Sequence, residues 1–506
     1  MTDRVPGQFT LVLHSHLPWL PNHGRWPVGE EWLYQSWADS YLPVFGVLRR
    51  LAEDGFTDQL SLGVTPVLAA QLDDPYAAAS MHEWLADWQL RAMEAATSRD
   101  PDRADTGTRE FRAAAAALAD FETQWRHGGS PQIRPLVSSG VIELLGGPLA
   151  HPFAPLLDPR LRRLSLREGL ADARLRWGST PSGIWAPECA YAPGMETEYA
   201  AAGVRHFMVD GPTLHGDTAL GRPVGDSGVV AFGRDLTVSY RVWSPKSGYP
   251  GHADYRDFHT YDHETGFKSV RVTGKTVPAE AKKTYDPARV DAAIDKHVDD
   301  FIDAVRDRLI SESDRIGRPA LVVAAFDTEL YGHWWHEGPI WLERLLRRLP
   351  EAGITVGTLD TARRDGYVGE PVELSDSSWG SGKDWRVWEG PQVQHLVQLN
   401  SEVTATALDS LDKRASSTAP TERDEVSDQI LRETLMTVQS DWPFMVSKDT
   451  AAGYAEDRAY KHAHATREIS AAADAGRDDQ ALRLARGWRN ADNLFGALDA
   501  RRLEER

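Results

Sequence analysis

Two acidic residues stand where short apolar runs end. Asp327 closes Leu321-Val-Val-Ala-Ala-Phe326, and Glu188 follows Ile184-Trp-Ala-Pro187. Each run is short and apolar enough to form a strand buried on both faces of a parallel sheet. Packing explains a carboxylate leaving such a strand poorly, because Asp and Glu are rarely buried unless paired or functional. Two of them on one rim suit glycoside chemistry: one attacks or stabilises the anomeric carbon, and the other protonates the departing oxygen. Separate environments push two such pKa values apart and so divide the labour. Glu329 competes with Asp327, since residues two apart on a strand point the same way. Asp327 is preferred because the apolar run ends there. The plainer alternative for either carboxylate is an ion pair at the rim.

His14-Ser-His16 follows another apolar run, Gln8 to Leu13, and His151 follows Gly146-Gly-Pro-Leu-Ala150. Two chemistries fit such a cluster. A barrel hydrolase could bind zinc through His14 and His16, with Glu188, His206 and Asp327 completing the set. A sugar site would use the same rings to bond hydroxyls, with no metal. Trp243, Trp379, Trp385, Trp388 and Trp442 lie beside Gly, Ser and Asp. An amphipathic ring there either stacks on a sugar face or anchors the core.

The elements that must position these groups read as strands alternating with helices. Strands are expected at 8–13, 59–65, 141–145, 183–188, 206–210, 321–326 and 354–359, with strand-like pieces at 229–232 and 237–243. Helical patterns fall between them. Residues 74–130 read as an inserted helical pair broken by a polar loop at 98–108. Seven short buried strands with helical crossovers predict an α/β fold, either a parallel barrel or a doubly wound sheet. Barrel enzymes carry their chemistry at the C-terminal ends of the strands, where these polar residues cluster. After Gly366 the pattern turns to a Ser/Gly/Trp-rich loop and then helices, with a polar linker at 413–425.

With 506 residues, two or three domains are expected. A net charge of −19 disfavours nucleic acid and anionic membranes as partners. No apolar run approaches the roughly 18 residues that span a bilayer. The single cysteine, Cys189, and an N-terminus lacking a basic region before an apolar core predict a cytoplasmic protein. Eighteen tryptophans exceed background, and several sit among polar residues, as a sugar ligand would require. No phosphate-binding loop is present, and the sequence specifies no oligomeric state.

Five stretches together resemble glycoside hydrolase family 57: His14-Ser-His16-Leu-Pro18, Gly147-Pro-Leu-Ala-His151, Trp185-Ala-Pro-Glu188-Cys-Ala-Tyr191, Phe326-Asp327-Thr-Glu-Leu-Tyr-Gly-His-Trp-Trp335, and Asp441-Trp-Pro-Phe444. Glu337-Gly-Pro339, Trp243 in Arg-Val-Trp-Ser-Pro and the Trp379 to Trp388 spacing are similar to its 1,4-α-glucan branching enzyme subgroup. The resemblance implies an incomplete (β/α)7 barrel at 1–366, interrupted by the 74–130 insertion, and an all-helical C-terminal domain at 367–506 that helps close the cleft. It implies Glu188 as nucleophile and Asp327 as acid/base in a retaining, metal-free and cofactor-free mechanism. Substrate binding is then expected from His14, His16, His151, Trp243, Trp335, Trp379, Trp388 and Asp441. The implied ligands are an α-1,4-glucan donor and acceptor such as amylose, glycogen or a modified intracellular glucan. Subgroup members carry a tyrosine on a loop near the cleft; here residues 211–228 contain none and Tyr240 follows later. A 4-α-glucanotransferase or α-amylase, a metal-dependent hydrolase and a silent glucan-binding protein are the rival expectations.

Overall fold

The structure, a computed structural model, describes residues 5–244, 246–417 and 422–504. Residues 1–4, on which the N-terminal reading partly rests, and 418–421 of the expected linker lie outside the described residues. The sheet is built from β1 (Gln8–Ser15), β2 (Leu60–Val64), β3 (Ile142–Gly146), β4 (Gly183–Ile184), β5 (His206–Asp210), β6 (Arg222–Pro223), β7 (Val230–Arg234), β8 (Leu321–Asp327) and β9 (Thr355–Val356). Seven of these run parallel in the order β7-β5-β4-β3-β2-β1-β8. At the open seam the Asp235 amide donates to the Val323 carbonyl at 2.8 Å. No ladder joins β7 to β8 among the described residues, so the (β/α)7 barrel is incomplete.

Strand alternation sorts each strand into two faces. Phe9, Leu11 and Leu13 of β1 join Val322, Ala324 and Phe326 of β8 in the core under the helices. Val12 meets Leu321, Val323, Ala325, Met208 and Phe232 inside the barrel. His14, Asp327, Asp210 and Arg234 each continue an inward series by two residues, so this register delivers them together to the barrel mouth. The opposite end holds an inward pair, with His206 donating to Glu143 at 2.6 Å.

Several elements depart from the sequence expectation. Residues 237–243 alternate like a strand but form the helix Leu236–Trp243. Asp235 caps it by accepting from the Val238 amide at 3.1 Å, and Val238 and Val242, four apart, face the core. The strand-like piece at 229–232 is β7, a full barrel strand. The expected seventh strand shrinks to the two-residue β9, paired only with Gln8 and Phe9. Thr358 ends it by opening a helix with a capping box. The expected polar loop at 98–108 is mostly helix, because Asp100 caps and Pro101 starts Pro101–Asp120. Residues 413–417 likewise continue the helix Gln394–Ser417.

The C-terminal helices Glu425–Thr437, Asp441–Lys448, Ala452–Asp474 and Asp478–Arg489 pack beside the barrel. Ile430, Leu435 and Ile469 share a core with Trp19, Leu149 and Leu161. A buried polar network also crosses this boundary. His23, from the chain after β1, donates to Asp492 at 2.6 Å, while His462 donates to Glu433 at 2.8 Å and accepts from Arg458 at 2.9 Å. All four side chains of those two His–carboxylate pairs are fully buried. Asp492→Ala leaves the Nε2–H of buried His23 without its acceptor and is expected to cost about 1–3 kcal/mol. The measurement is a lowered urea midpoint at unchanged slope. Among the described residues no helix is long and apolar enough to cross a membrane.

Candidate active site

Glu188 follows a strand only two residues long, and its own backbone is left-handed (φ 62°, ψ 16°), as is that of Cys189 (φ 49°). Ala150 and His151, past the end of β3, are left-handed too (φ 57° and 51°). Non-glycine residues in this region cost about 1–3 kcal/mol each, and such strain gathers at functional sites. Here it turns Glu188 and His151 from the strand direction toward one another.

The Glu188 carboxylate accepts from Ser440 Oγ at 2.8 Å on Oε1 and from Trp379 Nε1 at 2.9 Å on Oε2. The Trp379 amide also donates to the Glu188 carbonyl at 2.8 Å. Burial pushes the Glu188 carboxyl up to about 7, against the pull of those two donors and with a smaller push from the Asp441 charge. Asp327, at the inward end of β8, is pushed up to about 7 by burial and then by the charge of Glu188. Among the described residues no donor bonds its carboxylate. The two carboxyls therefore feel each other's charge, yet only Glu188 has donors that favour its ionised form. The donors on Glu188 favour its ionised form, and the charge of Glu188 favours the protonated form of Asp327.

Glu329 differs in kind. Tyr41 donates to its Oε1 at 2.5 Å and the His16 amide donates to the same oxygen at 3.2 Å. Burial, then the Asp327 charge, pushes it to about 8. Tyr41 closes the π-turn Trp37–Tyr41, a local widening often found at functional sites. Gly332 makes the approach between this turn and the 331–335 loop possible: a Cβ there would lie 1.7 Å from the Asp39 carbonyl oxygen.

The three histidines form a stacked group. His16 and His151 have ring centroids 3.7 Å apart, and His14 lies 4.4 Å from the Trp185 ring. His14 Nε2 meets His151 Nε2 at 3.1 Å, His151 Nδ1 meets Ser440 Oγ at 2.9 Å, and His16 bonds Thr65 Oγ1 and Asp441 at 3.0 Å each. Burial holds His14 and His151 well below the ordinary histidine pKa, so both are neutral near pH 7. One atom each of His16, His151 and Asp441 lie within metal-binding range of one another. Both His151 nitrogens and both His16 nitrogens have hydrogen-bond partners, one of them Asp441 itself. The zinc set considered from the sequence does not assemble, because His206 is taken by Glu143 inside the barrel.

These residues open into one cleft of about 850 Å³. Eight of the ten expected site residues line it: Glu188, Asp327, His14, His16, His151, Trp243, Trp379 and Asp441. Trp335 and Trp388 do not. Trp335 is fully buried against Tyr255, Tyr331 and Trp341. Trp388 is also fully buried, stacked on Phe153, and donates to the Ser440 carbonyl at 3.2 Å. Both correct the expectation of substrate contact, since sequence spacing does not separate a wall from the packing behind it. Trp442, weighed as a stacking ring, is likewise buried, under the Arg458 guanidinium.

The cleft also gathers residues outside the ten expected ones. Trp32, Trp334, Phe258 and Phe444 supply rings, and Tyr240 reaches it one helical turn before Trp243. Arg234 Nε donates to Asp210 at 2.8 Å, and its guanidinium stands 5.2 Å over the Trp379 ring. Lys383 pairs with the same buried Asp210 at 2.6 Å and donates to the Trp379 carbonyl at 2.9 Å. The Trp379 loop is thereby fastened over Glu188. Trp379→Phe keeps the ring but removes one donor, which raises the Glu188 pKa. The acidic limb of the rate profile is expected to move up by about one pH unit, checked by kcat/KM against pH.

Residues 10–368 match Glycosyl hydrolase family 57, and residues 401–502 match the 1,4-alpha-glucan branching enzyme C-terminal family. The chain is 67% identical to a probable 1,4-alpha-glucan branching enzyme of Mycobacterium tuberculosis, over 99% of this chain and 98% of that protein. It is 30% identical to a 1,4-alpha-glucan branching enzyme of Thermococcus kodakarensis, over 90% of this chain and 72% of the other. Among solved structures, a family 57 type branching enzyme from Pyrococcus horikoshii superposes with a TM-score of 0.91 at 28% identity, covering 98% and 96% of the two chains.

Proposed function

The chain belongs to glycosyl hydrolase family 57, and from that premise we propose that its cleft runs a two-step, retaining transfer through a covalent ester on Glu188. The activity is that of a 1,4-α-glucan branching enzyme: an α-1,4 bond is cut and the freed chain is joined to a 6-hydroxyl. One observation carries the mechanistic reading. Two carboxyls from distant segments share one cleft, and only one of them is surrounded by donors that keep it charged.

In the first step Glu188 attacks the anomeric carbon of the donor while Asp327 gives its proton to the departing glycosidic oxygen. In the second, the acceptor's 6-hydroxyl opens the ester as Asp327 takes back a proton. Retention requires the carboxyls about 5–5.5 Å apart during the reaction. The neutral pair His14 and His151, with His16 and Asp441, suits the hydroxyls of the sugar being transferred. Trp243 and Tyr240 are 44% and 41% exposed on the rim, where rings can stack on a glucan and displace water. Keeping water from the ester is what separates transfer from hydrolysis. Amylose or glycogen serves as donor and acceptor.

Linkage analysis of amylose after incubation with the protein tests this. New α-1,6 branch points with little free reducing sugar are expected. Longer and shorter linear α-1,4 chains would mean a 4-α-glucanotransferase, and accumulating reducing ends an α-amylase.

A further inference from the structure

Ser440 belongs neither to the barrel nor to the residues singled out from the sequence, yet its hydroxyl sits between two groups of the site. It lies 2.8 Å from Glu188 Oε1 and 2.9 Å from His151 Nδ1. A hydroxyl has one proton to give. An ionised carboxylate can only accept, so that proton points to Glu188. Ser440 must then accept from His151 Nδ1–H. That fixes the His151 tautomer, leaving Nε2 with its lone pair, 3.1 Å from His14 Nε2. His14 therefore carries its proton on Nε2, and its Nδ1 is the bare nitrogen. Independently, His14 Nδ1 is a buried atom without a hydrogen-bond partner, where a protonated Nδ1 would leave a donor unsatisfied.

We propose that Ser440 is a positioning residue for the reaction: its hydroxyl ends a one-way hydrogen-bond chain, His14 to His151 to Ser440 to Glu188, that fixes one oxygen of the nucleophile and keeps it charged. The inference rests on the reading of Glu188 as nucleophile. A chain whose donors all point one way polarises each link, so its end is a stronger donor than a lone serine. Rigid backbone holds the serine in place. Its amide donates to the His151 carbonyl at 3.0 Å, its carbonyl accepts from Trp388 Nε1 at 3.2 Å, and Gln439 bridges to Pro152. This gives buried Trp388 a purpose behind the cleft wall. The C-terminal helical region thus supplies two groups to the barrel's chemistry, Ser440 on Glu188 and Asp441 on His16.

Charged and titratable groups face Glu188 from every wall. They are Asp327 of β8, His14 and His16 at the end of β1, His151 beyond β3, Arg234 of β7, Lys383 of the Trp379 loop and Asp441 beside Ser440, and the same cleft also holds Glu329, His333, Glu31, Tyr240 and Lys448. Ser440→Ala removes none of them, so a changed profile reports the lost hydroxyl.

The test is kcat and KM on amylose against pH for wild type, Ser440→Ala, Ser440→Cys and Ser440→Thr. Ser440→Ala is expected to lower kcat about 10–100-fold with little change in KM, and to raise the acidic limb by about one unit. Cys, a weaker donor of similar size, should fall between, and it decides the matter if the Ala variant fails to fold. Thr, which retains the hydroxyl, should restore the wild-type limb. An acidic limb unmoved in both Ala and Cys, or a Thr variant as impaired as Ala, overturns the assignment. Glu188→Gln run alongside separates the two readings. Turnover retained there removes the nucleophile reading and the Ser440 role with it, whereas a dead Gln variant with an unmoved Ser440→Ala profile removes Ser440 alone.

Discussion

Glu188→Gln is expected to lower branching of amylose by roughly 10⁴–10⁶-fold, the scale seen when a covalent enzyme loses its nucleophile. The fold should survive. The amide oxygen can take the place of Oε2 and accept from Trp379 Nε1, which has no other role than donor. The amide NH2 then faces Ser440, whose hydroxyl can rotate to accept from it and donate instead to His151. One rotor and the tautomers of His151 and His14 change together, which leaves the buried His14 Nδ1–H without an acceptor. The urea midpoint should fall by the equivalent of about 1–3 kcal/mol, the cost of one unsatisfied buried donor, with the folded state retained, while linkage analysis finds no new branch points. An amide at this place also removes the charge that helps raise Asp327, so any remaining rate should lose its alkaline limb at lower pH than in wild type. Near-normal turnover in this variant would remove Glu188 from the mechanism.

Much of this site follows from a period of two. The apolar run of β8 alternates faces so that Leu321, Val323 and Ala325 look into the barrel, and Asp327 is the next residue in that series. The same count places His14 after Val12, which is why polar residues ending apolar runs were a reliable signal. Glu188 obeys a different rule. Its strand is two residues long, and a left-handed backbone turns the side chain to the cleft, so composition marked the residue but not its direction.

What stayed hidden has a common cause. Ser440, Arg234 and Lys383 are ordinary polar residues whose importance lies in partners 24 to 289 positions away. Nothing local distinguishes Ser440 from other serines, and only tertiary contact puts it against Glu188. The tryptophans err in the opposite direction. Trp335 and Trp388 carry the same local signal as Trp334 and Trp379, yet lie one layer deeper. Whether a ring faces sugar or protein depends on which side of the wall the loop leaves open.

Asp327→Asn should separate the two carboxylates' roles more sharply than loss of activity alone. On amylose, whose leaving oxygen needs a proton, the rate should fall about 10²–10⁴-fold. With a maltosyl fluoride donor the first step needs no acid, so Glu188 should still be glycosylated at a rate close to wild type. The second step lacks its base, so the ester should accumulate and appear as a mass increase on the peptide containing Glu188. Azide, a nucleophile that needs no base, should release it as the α-glycosyl azide, the outcome of two inversions. The pH profile gives a second signature. In wild type, rate falls as pH rises through the Asp327 pKa, pushed to about 7; Asn cannot titrate, so this limb should disappear. Glu329, two residues on and pushed to about 8, is the alternative acid. Its oxygen is already held by Tyr41 and the His16 amide, while no donor among the described residues reaches the Asp327 carboxylate. An alkaline limb that persists in Asp327→Asn and vanishes in Glu329→Gln would transfer the acid role from one to the other.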